Sequence, residues 1–259
     1  DQDGLCSFLL LRRYIGRGKG VAVRSFPGLN GEYFRKVHEL RADYVFILDK
    51  PVVSPEFFLE AEKINVPVVW IDHHMIDPKL VPKFVNYYNP LLNRKKNNEP
   101  VTFLCYQVTK KEEDVWLAVI GCISDRFIPK FYGKFQRKYP DLVPKGREIF
   151  EIFYKSQTGK IARIFGAGLK DTTTNVVNML RFLTKAKSPY EVLEETSGNR
   201  AMHRRFAYVE SKYQKFLSKA ISLGKKSGKL LFFRYSGDLS ISGELANELN
   251  YNFPEKTVV

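Results

Sequence analysis

The chain has 259 residues, 44% of them hydrophobic and 27% charged, which fits a globular protein of one large domain or two ordinary ones. Its formal net charge is +14, a field that favours polyanionic partners such as nucleic acid or an anionic surface. No apolar run reaches the ~18 residues that a membrane span needs, so a spanning helix is excluded, and no signal peptide is visible.

The chain opens inside a motif with no methionine, and Asp1 reads as a truncation point. Leu5 to Ile15 is apolar on several faces and is predicted to be a buried helix. Gly16 to Gly20 is a turn, Val21 to Val23 a short strand, and Gly31 to Leu40 a helix. Tyr44 to Leu48 is the next strand. Ser54-Pro55-Glu56 carries a helix start: Ser at the N-cap, Pro in the first turn and an acid at the positive dipole end. That helix runs to Ile64. Strands follow at Pro67–Ile71 and Phe84–Tyr88, then helices at Val101–Lys110 and Glu112–Ser124. Strands alternating with helices at this spacing predict an α/β fold, a parallel sheet flanked by helices.

Beyond Asp125 the character changes. Residues 126–144 are basic, aromatic and punctuated by proline. Residues 145–187 read as helical, interrupted at Gly159 and at Gly166-Ala167-Gly168, with a new N-cap at Asp171 to Thr174. Ser197 to Leu223 is predicted to be a long basic helix that joins domains, and Gly224 to Gly228 a flexible joint. Lys229–Arg234 is a strand, Ser242–Asn250 a helix and Lys256–Val259 a strand entering a second sheet. The three cysteines, Cys6, Cys105 and Cys122, are odd in number and lie in apolar helices. They read as buried reduced thiols, and a cytoplasmic setting follows.

Four short acidic stretches organise the chain. Asp1-Gln2-Asp3-Gly4 precedes the first helix. Asp49 ends the run Tyr44 to Leu48, Asp72-His73-His74 follows Val68 to Ile71, and Asp125 ends Val119 to Ser124. In open α/β sheets, ligands sit beyond the carboxyl ends of the strands, where Asp49 and Asp72 fall. Carboxylates and neutral imidazole suit a pair of Mn²⁺ ions, with Mg²⁺ as the alternative. Asp1, Asp3, Asp49, His73 and Asp125 are the candidate ligands. Asp72 is placed to orient an imidazole through its ring N–H, and His74 to face a phosphate. His38 and His203 lack an acidic partner at ligand spacing and read as surface or packing residues. Gly16 to Gly20 and Gly224 to Lys229 lack phosphate-loop spacing.

The ordered set resembles the DHH phosphoesterase superfamily, whose members hydrolyse phosphoester or phosphoanhydride bonds with two metal ions. The family's first motif is His-x-Asp-x-Asp-Gly, and Asp1-Gln2-Asp3-Gly4 matches its last four positions. Asp49 matches the second motif, which the family uses as the bridging ligand. Asp72, His73 and His74 match Asp-His-His, and Gly121 to Asp125 match Gly-x-x-x-Asp. Asn89-Pro90 resembles the RecJ-like branch. The resemblance covers residues 1–130 and makes His74, Asp72 and Asp49 the catalytic set. It implies a catalytic domain at 1–140, a helical region and linker helix at 141–225, and the incomplete start of a smaller α/β C-terminal domain at 226–259.

Three functions follow from the resemblance. One is a RecJ-like exonuclease acting on single-stranded DNA or RNA or on short oligonucleotides. The interleaved rings and cations of Phe127 to Phe135 support it, with Arg126, Lys130 and Lys134 as candidate contacts, and a further basic surface at Arg200, Arg204, Arg205, Lys212 and Lys215. The same rings could equally be core. The second is a small-substrate phosphatase such as a pyrophosphatase or cyclic-dinucleotide phosphodiesterase. The third is a catalytically weak scaffold that binds replication or repair partners. Protein partners, polarity and oligomeric state are not legible.

Overall fold

The computed structural model describes residues 1–23, 28–94 and 96–259. Helix α1 (Gln2–Ile15) opens it and stops at Gly16, which takes the left-handed conformation at φ 80° and donates its N–H to Arg12 O. A 3₁₀ turn (Gly31–Tyr33) leads into α2 (Phe34–Glu39). Strand β1 (Val45–Leu48), helix α3 (Pro55–Lys63), strand β2 (Val68–Ile71) and strand β3 (Asn86–Tyr88) follow. Ser54 caps α3 by accepting the Phe57 N–H, with Pro55 in the first turn, as its sequence demands. The sheet is parallel throughout, in the order β1-β2-β3, with Leu48 opposite Ile71 and Ile71 opposite Tyr88.

The rest of the chain is mostly helical: α4 (Val101–Thr109), α5 (Val115–Ser124), α6 (Tyr132–Lys138), α7 (Ile149–Lys155), α8 (Gln157–Leu169), α9 (Thr173–Lys185), α10 (Pro189–Leu193) and the 25-residue α11 (Arg200–Gly224). Strand β4 (Leu230–Leu231), helix α12 (Ser242–Asn252) and strand β5 (Thr257–Val258) close it, β4 and β5 pairing in parallel. The α/β class holds, with a small parallel sheet and many helices. No helix among the described residues is long and apolar enough to cross a membrane.

Several expectations are corrected. Val21–Val23 is not a strand; it is irregular chain, followed directly by residues outside the described set. Gly159, Gly166 and Gly168 do not interrupt a helix. All three lie inside α8, where the missing side chains let Phe153 O, Gln2 and Met179 approach. The break between α7 and α8 falls instead at Ser156, whose side chain caps the new helix. Strand Lys229–Arg234 shortens to two residues.

Three apolar clusters organise the packing. One gathers α1, α4, α5 and the helices up to Met202. A second lies between one face of the sheet and α2 and α3, where the Trp70 ring packs tilted against Phe58 and Tyr87, with centroids 5.7 and 4.8 Å away. A third joins α11, β4 and α12. Helix α5 is the pivot of the first. Every residue from Val115 to Ile123 is buried, which is what a helix apolar all round requires. Leu48 and Ile71 at the strand ends pack against this helical cluster, so the carboxyl end of the sheet abuts the end of α5.

Gly121 makes the close approach possible. A Cβ there would fall on Thr102 Oγ1 and within 2.8 Å of Cys6 Cβ. Gly121→Ala is therefore expected to lose about 1–3 kcal/mol, read as a fall of several degrees in thermal midpoint. Gly243→Ala, where a Cβ meets nothing within 4 Å, should leave the midpoint essentially in place.

Candidate metal centre

Parallel register brings the strand ends level. The ladder runs one residue past each strand: Asp49 N–H donates to Ile71 O, and Asp72 N–H to Tyr88 O, both at 3.0 Å. Asp49, Asp72 and Asn89 thus form a row along the carboxyl edge. Asp49 leaves the strand at φ 54°, a left-handed conformation that aspartate tolerates better than most side chains. Its Oδ2 accepts the Gly4 N–H at 3.1 Å, and a Cβ on Gly4 would lie 3.3 Å from that oxygen. The glycine of Asp-x-Asp-Gly is what lets the first turn of α1 sit on the end of β1.

Asp3, in that same turn, is fully buried. Its two carboxylate oxygens accept backbone N–H groups of Thr102 and Val101 at 2.7 and 2.8 Å, and Thr102 Oγ1 donates to its carbonyl. Helix α4 begins after Pro100, which has no side-chain acceptor for the free N–H groups of a helix start. Asp3 supplies the cap from 98 residues away.

His73 stands at the centre. Its Nε2 lies 3.3 Å from Asp125 Oδ2 and 3.6 Å from Asp49 Oδ1. In each of two groups the candidate ligand atoms lie within 4.8 Å of one another: Asp49, His73 and His74 in one, Asp3, His73 and Asp125 in the other. His74 donates from Nδ1 to Asp72 Oδ1 at 2.9 Å and from its backbone N–H to Asp72 Oδ2, while Asn89 Nδ2 donates to its carbonyl. Asp72 is completely buried and His74 is 44% exposed, so the carboxylate fixes the ring from behind and leaves Nε2 forward.

The electrostatics follow from crowding. Burial, then the charges of Asp49 and Asp125, push Asp3 up to about 8, against the pull of the Thr102 hydrogen bonds. Burial and Asp49 raise Asp125 to about 6, although His73 and His74 lower it. Burial would lower His73, but Asp49, Asp125 and Asp3 together outweigh it and hold the imidazole at about 9. The hydrogen bond that His74 donates to Asp72, opposed by burial, raises the His74 imidazole. Burial would raise Asp49; the two histidines help to hold it below the usual range instead.

The structure thus brings together Asp3, Asp49, His73, His74 and Asp125, with Asp72 behind. Asp1 lies in neither group; it is exposed and caps α1 through its side chain. Arg126 does not present a free cation beside the site. Its φ of 58° turns the chain at the end of α5, and its guanidinium lies 4.0 Å from the Phe153 ring centroid, bonded to Tyr154 Oη. Lys134 is exposed and 3.5 Å from Glu112, and Lys130 is exposed with no partner among the described residues. The rings between them are core: Tyr132 and Phe135 are buried, and Phe131 packs on Phe103 and Tyr106. Asn89 and Thr102 are positioning residues absent from the sequence-derived site. Asn89 had a signal, a polar residue at a strand end, whereas nothing near Thr102 marks it.

The donor set is all carboxylate oxygen and imidazole nitrogen, the chemistry of Mn²⁺ or Mg²⁺ sites. Asp49 Oδ1 and His73 Nδ1 are buried with no hydrogen-bond partner, the former facing the common space of the ligands. Residues of this kind, held this close, fit a divalent cation.

The raised pKa values set a sign for stability. Asp3 and His73 hold protons in the folded chain that the unfolded chain gives up at about 3.8 and 6.5. Their contributions are complete below those values and are lost as pH rises towards about 8 and 9. In EDTA the thermal midpoint should therefore fall between pH 6.5 and 9. Asp125→Asn removes a carboxylate that raises both groups, so its decline should be shallower. A midpoint that rises over this window would contradict the assignment.

No family model and no curated protein matches the chain. Solved structures do. It is similar to the crystal structure of exonuclease RecJ bound to manganese, with a TM-score of 0.65 and 17% identity over 100% of this chain and 72% of that one. It is also similar to RecJ from Thermus thermophilus in complex with Mn²⁺, with a TM-score of 0.66 and 16% identity, covering all of this chain and 41% of that one. The chain has a RecJ-like fold.

Proposed function

We propose that the chain is a metal-dependent phosphodiesterase of the DHH superfamily that hydrolyses single-stranded nucleic acid or short oligonucleotides. The observation that carries this reading is the sharing of His73 between two ligand groups, Asp49/His73/His74 and Asp3/His73/Asp125. The RecJ-like fold supports it, since the similar structures are those of an exonuclease with manganese bound. Asp3, Asp49, His73 and Asp125 would hold two Mn²⁺ or Mg²⁺ ions. Ions bound there would activate a water and neutralise charge on the phosphate oxygens.

The chain's own residues supply the rest. Asp72 fixes His74 with Nδ1 as the donor, so Nε2 faces outward. Asp72 raises the pKa of that ring, and the ring can donate a hydrogen bond from Nε2 to a non-bridging phosphate oxygen. Asp3 is rigid because both its oxygens are tied to backbone N–H groups. Asn89 holds the His74 carbonyl and so sets the height of the ring above the sheet edge. The division into a catalytic part (1–140), a helical part (141–225) and a C-terminal part (226–259) belongs to the same reading.

One observation favours a second reading. The loop after Asp125 offers few free cations and no exposed run of rings, since Arg126 is folded into an aromatic cage and Tyr132 and Phe135 are core. A small-substrate phosphatase needs no more than that.

Two experiments test the proposal, a set of variants and a substrate series. Asp49→Asn should weaken Mn²⁺ binding at least about tenfold by calorimetry, and Asp72→Asn should cost roughly 10–100-fold in hydrolysis. His74→Ala should lower turnover by about 10²-fold with Mn²⁺ affinity nearly unchanged. Equal loss of metal in the Asp49 and His74 variants would refute the division of roles. The second test is cleavage of a length series, from dinucleotide to about 20 nucleotides, at two salt concentrations. A nuclease should favour longer strands at low salt. Rates independent of length, or cleavage of pyrophosphate alone, would replace it with the small-substrate enzyme.

A further inference from the structure

Away from the acidic site, one face of α11 carries a line of basic residues. Arg204, Tyr208, Lys212, Lys215 and Lys219 recur at intervals of four, four, three and four, and so fall within an arc of about 80°. Over about 22 Å this arc carries no acid of its own. Glu210, on another side of the helix, lies 3.7 Å from Arg163. The buried side of α11 is a separate stripe of Tyr213, Leu217 and Ala220.

The basic arc borders open depressions of the surface. It lines two concavities. One, of about 350 Å³, lies between Arg204, Arg205 and Tyr208 and the start of α9 at Asp171 and Asn175. The other, of about 260 Å³, lies between Lys212, Lys215 and Lys219 and the segment from Tyr235 to Leu239. Tyr208, in the wall of the first, donates its hydroxyl to Asp238 in the wall of the second, with Lys212 Nζ 4.5 Å from its ring centroid and Arg205 Cζ 5.4 Å from it.

Of the two acids in these walls, Asp238 is paired with a cation, and Asp171 is tied to its own loop by neutral donors and leaves the two arginines of its wall in excess. Asp171 accepts Asn175 Nδ2 and the Thr172 N–H, and Asp238 accepts Tyr208 and Lys212. Arg204, Lys215 and Lys219 are exposed and have no partner among the described residues. Arg205 gives one N–H to Lys170 O, while its Nε is buried and unpaired. The face therefore holds uncompensated cations alternating with rings: Tyr208, and Phe216 5.0 Å from Tyr235. Cations spaced along a line suit successive phosphates, and interleaved rings suit unstacked bases in place of lipid headgroups.

We propose that this face of α11 is a track for single-stranded nucleic acid, distinct from the acidic site and able to bind without metal. The test is fluorescence anisotropy of a 5′-labelled dT 20-mer in EDTA, titrated at several salt concentrations. Because no metal is free, the result does not depend on whether the acidic site hydrolyses anything. The triple variant Arg204→Gln, Lys215→Gln, Lys219→Gln should bind at least about tenfold more weakly at low salt. Its plot of log affinity against log salt should flatten by about 2, three contacts at roughly 0.7 each. The comparison is Lys110→Gln, Lys185→Gln, Lys187→Gln, which removes the same charge from exposed positions elsewhere and should change little. Circular dichroism confirms that both variants fold. Equal losses in the two triples would mean that only net charge matters and would overturn the proposal. Tighter binding to a 20-base-pair duplex than to the single strand would overturn it, as would binding to phosphatidylserine vesicles that depends on the same three residues.

Discussion

Three carboxylates, Asp3, Asp49 and Asp125, are held around one imidazole, and the surrounding fold opposes their repulsion. Each is fixed by a different device. Asp3 is clamped by the free N–H groups of α4, Asp49 by the N–H of Gly4 and its place in the β ladder, and Asp125 by the end of a helix buried on every side. Burial makes the repulsion costly, and it shows as raised pKa values at Asp3 and Asp125 and at the histidine they face. Such opposed charges are tolerated at sites that bind a cation, and structural ion pairs rarely gather so many like charges. The helical cluster and the sheet cluster meet at this point, so packing fixes the distances between groups that would otherwise move apart.

Much of this was legible because the signals were local. An apolar run followed by an acid gave the strand ends, and Ser54-Pro55-Glu56 gave the start of α3. Asp72 was placed behind a histidine because two adjacent imidazoles after a strand need one carboxylate to orient them. What was not legible depended on partners far along the chain. Asp3 caps a helix 98 residues away, and that helix advertises the need only by beginning at proline. Arg126 looked like a surface cation, yet Phe150, Phe153 and Tyr154 form its cage. The alternation of rings and cations from Phe127 to Phe135 has the same composition in a nucleic-acid groove and in an amphipathic turn over a core. Only burial separates them, and it places Tyr132 and Phe135 inside. Glycines in α8 misled for the opposite reason: they permit helices to touch, and composition alone suggests breaks.

The positive charge is likewise redistributed by the fold. A count of lysine and arginine gives one number for the chain, while the structure sorts these residues by what they touch. Arg13 is inside, bonded to Asp114 and to the carbonyls of Leu183 and Ala186, and belongs to packing. Arg126 is a strut between α5 and α7. Other cations stay at the surface with no partner among the described residues, Arg204, Lys215 and Lys219 of α11 among them.

The clamp on the site is mostly main chain. The donors to Asp3 are the N–H groups of Val101 and Thr102, the donor to Asp49 is that of Gly4, and the strand ends are tied through Ile71 O and Tyr88 O. A peptide group is the same whatever side chain it carries. Substitutions at positions 71, 88 and 101 would leave these contacts in place as long as the packing volume is kept, whereas Gly121 has no such freedom and Gly4 only a little. Sequence around the centre can therefore drift a long way while the arrangement persists. This accords with a chain that overlays RecJ structures along its whole length at only 16–17% identity.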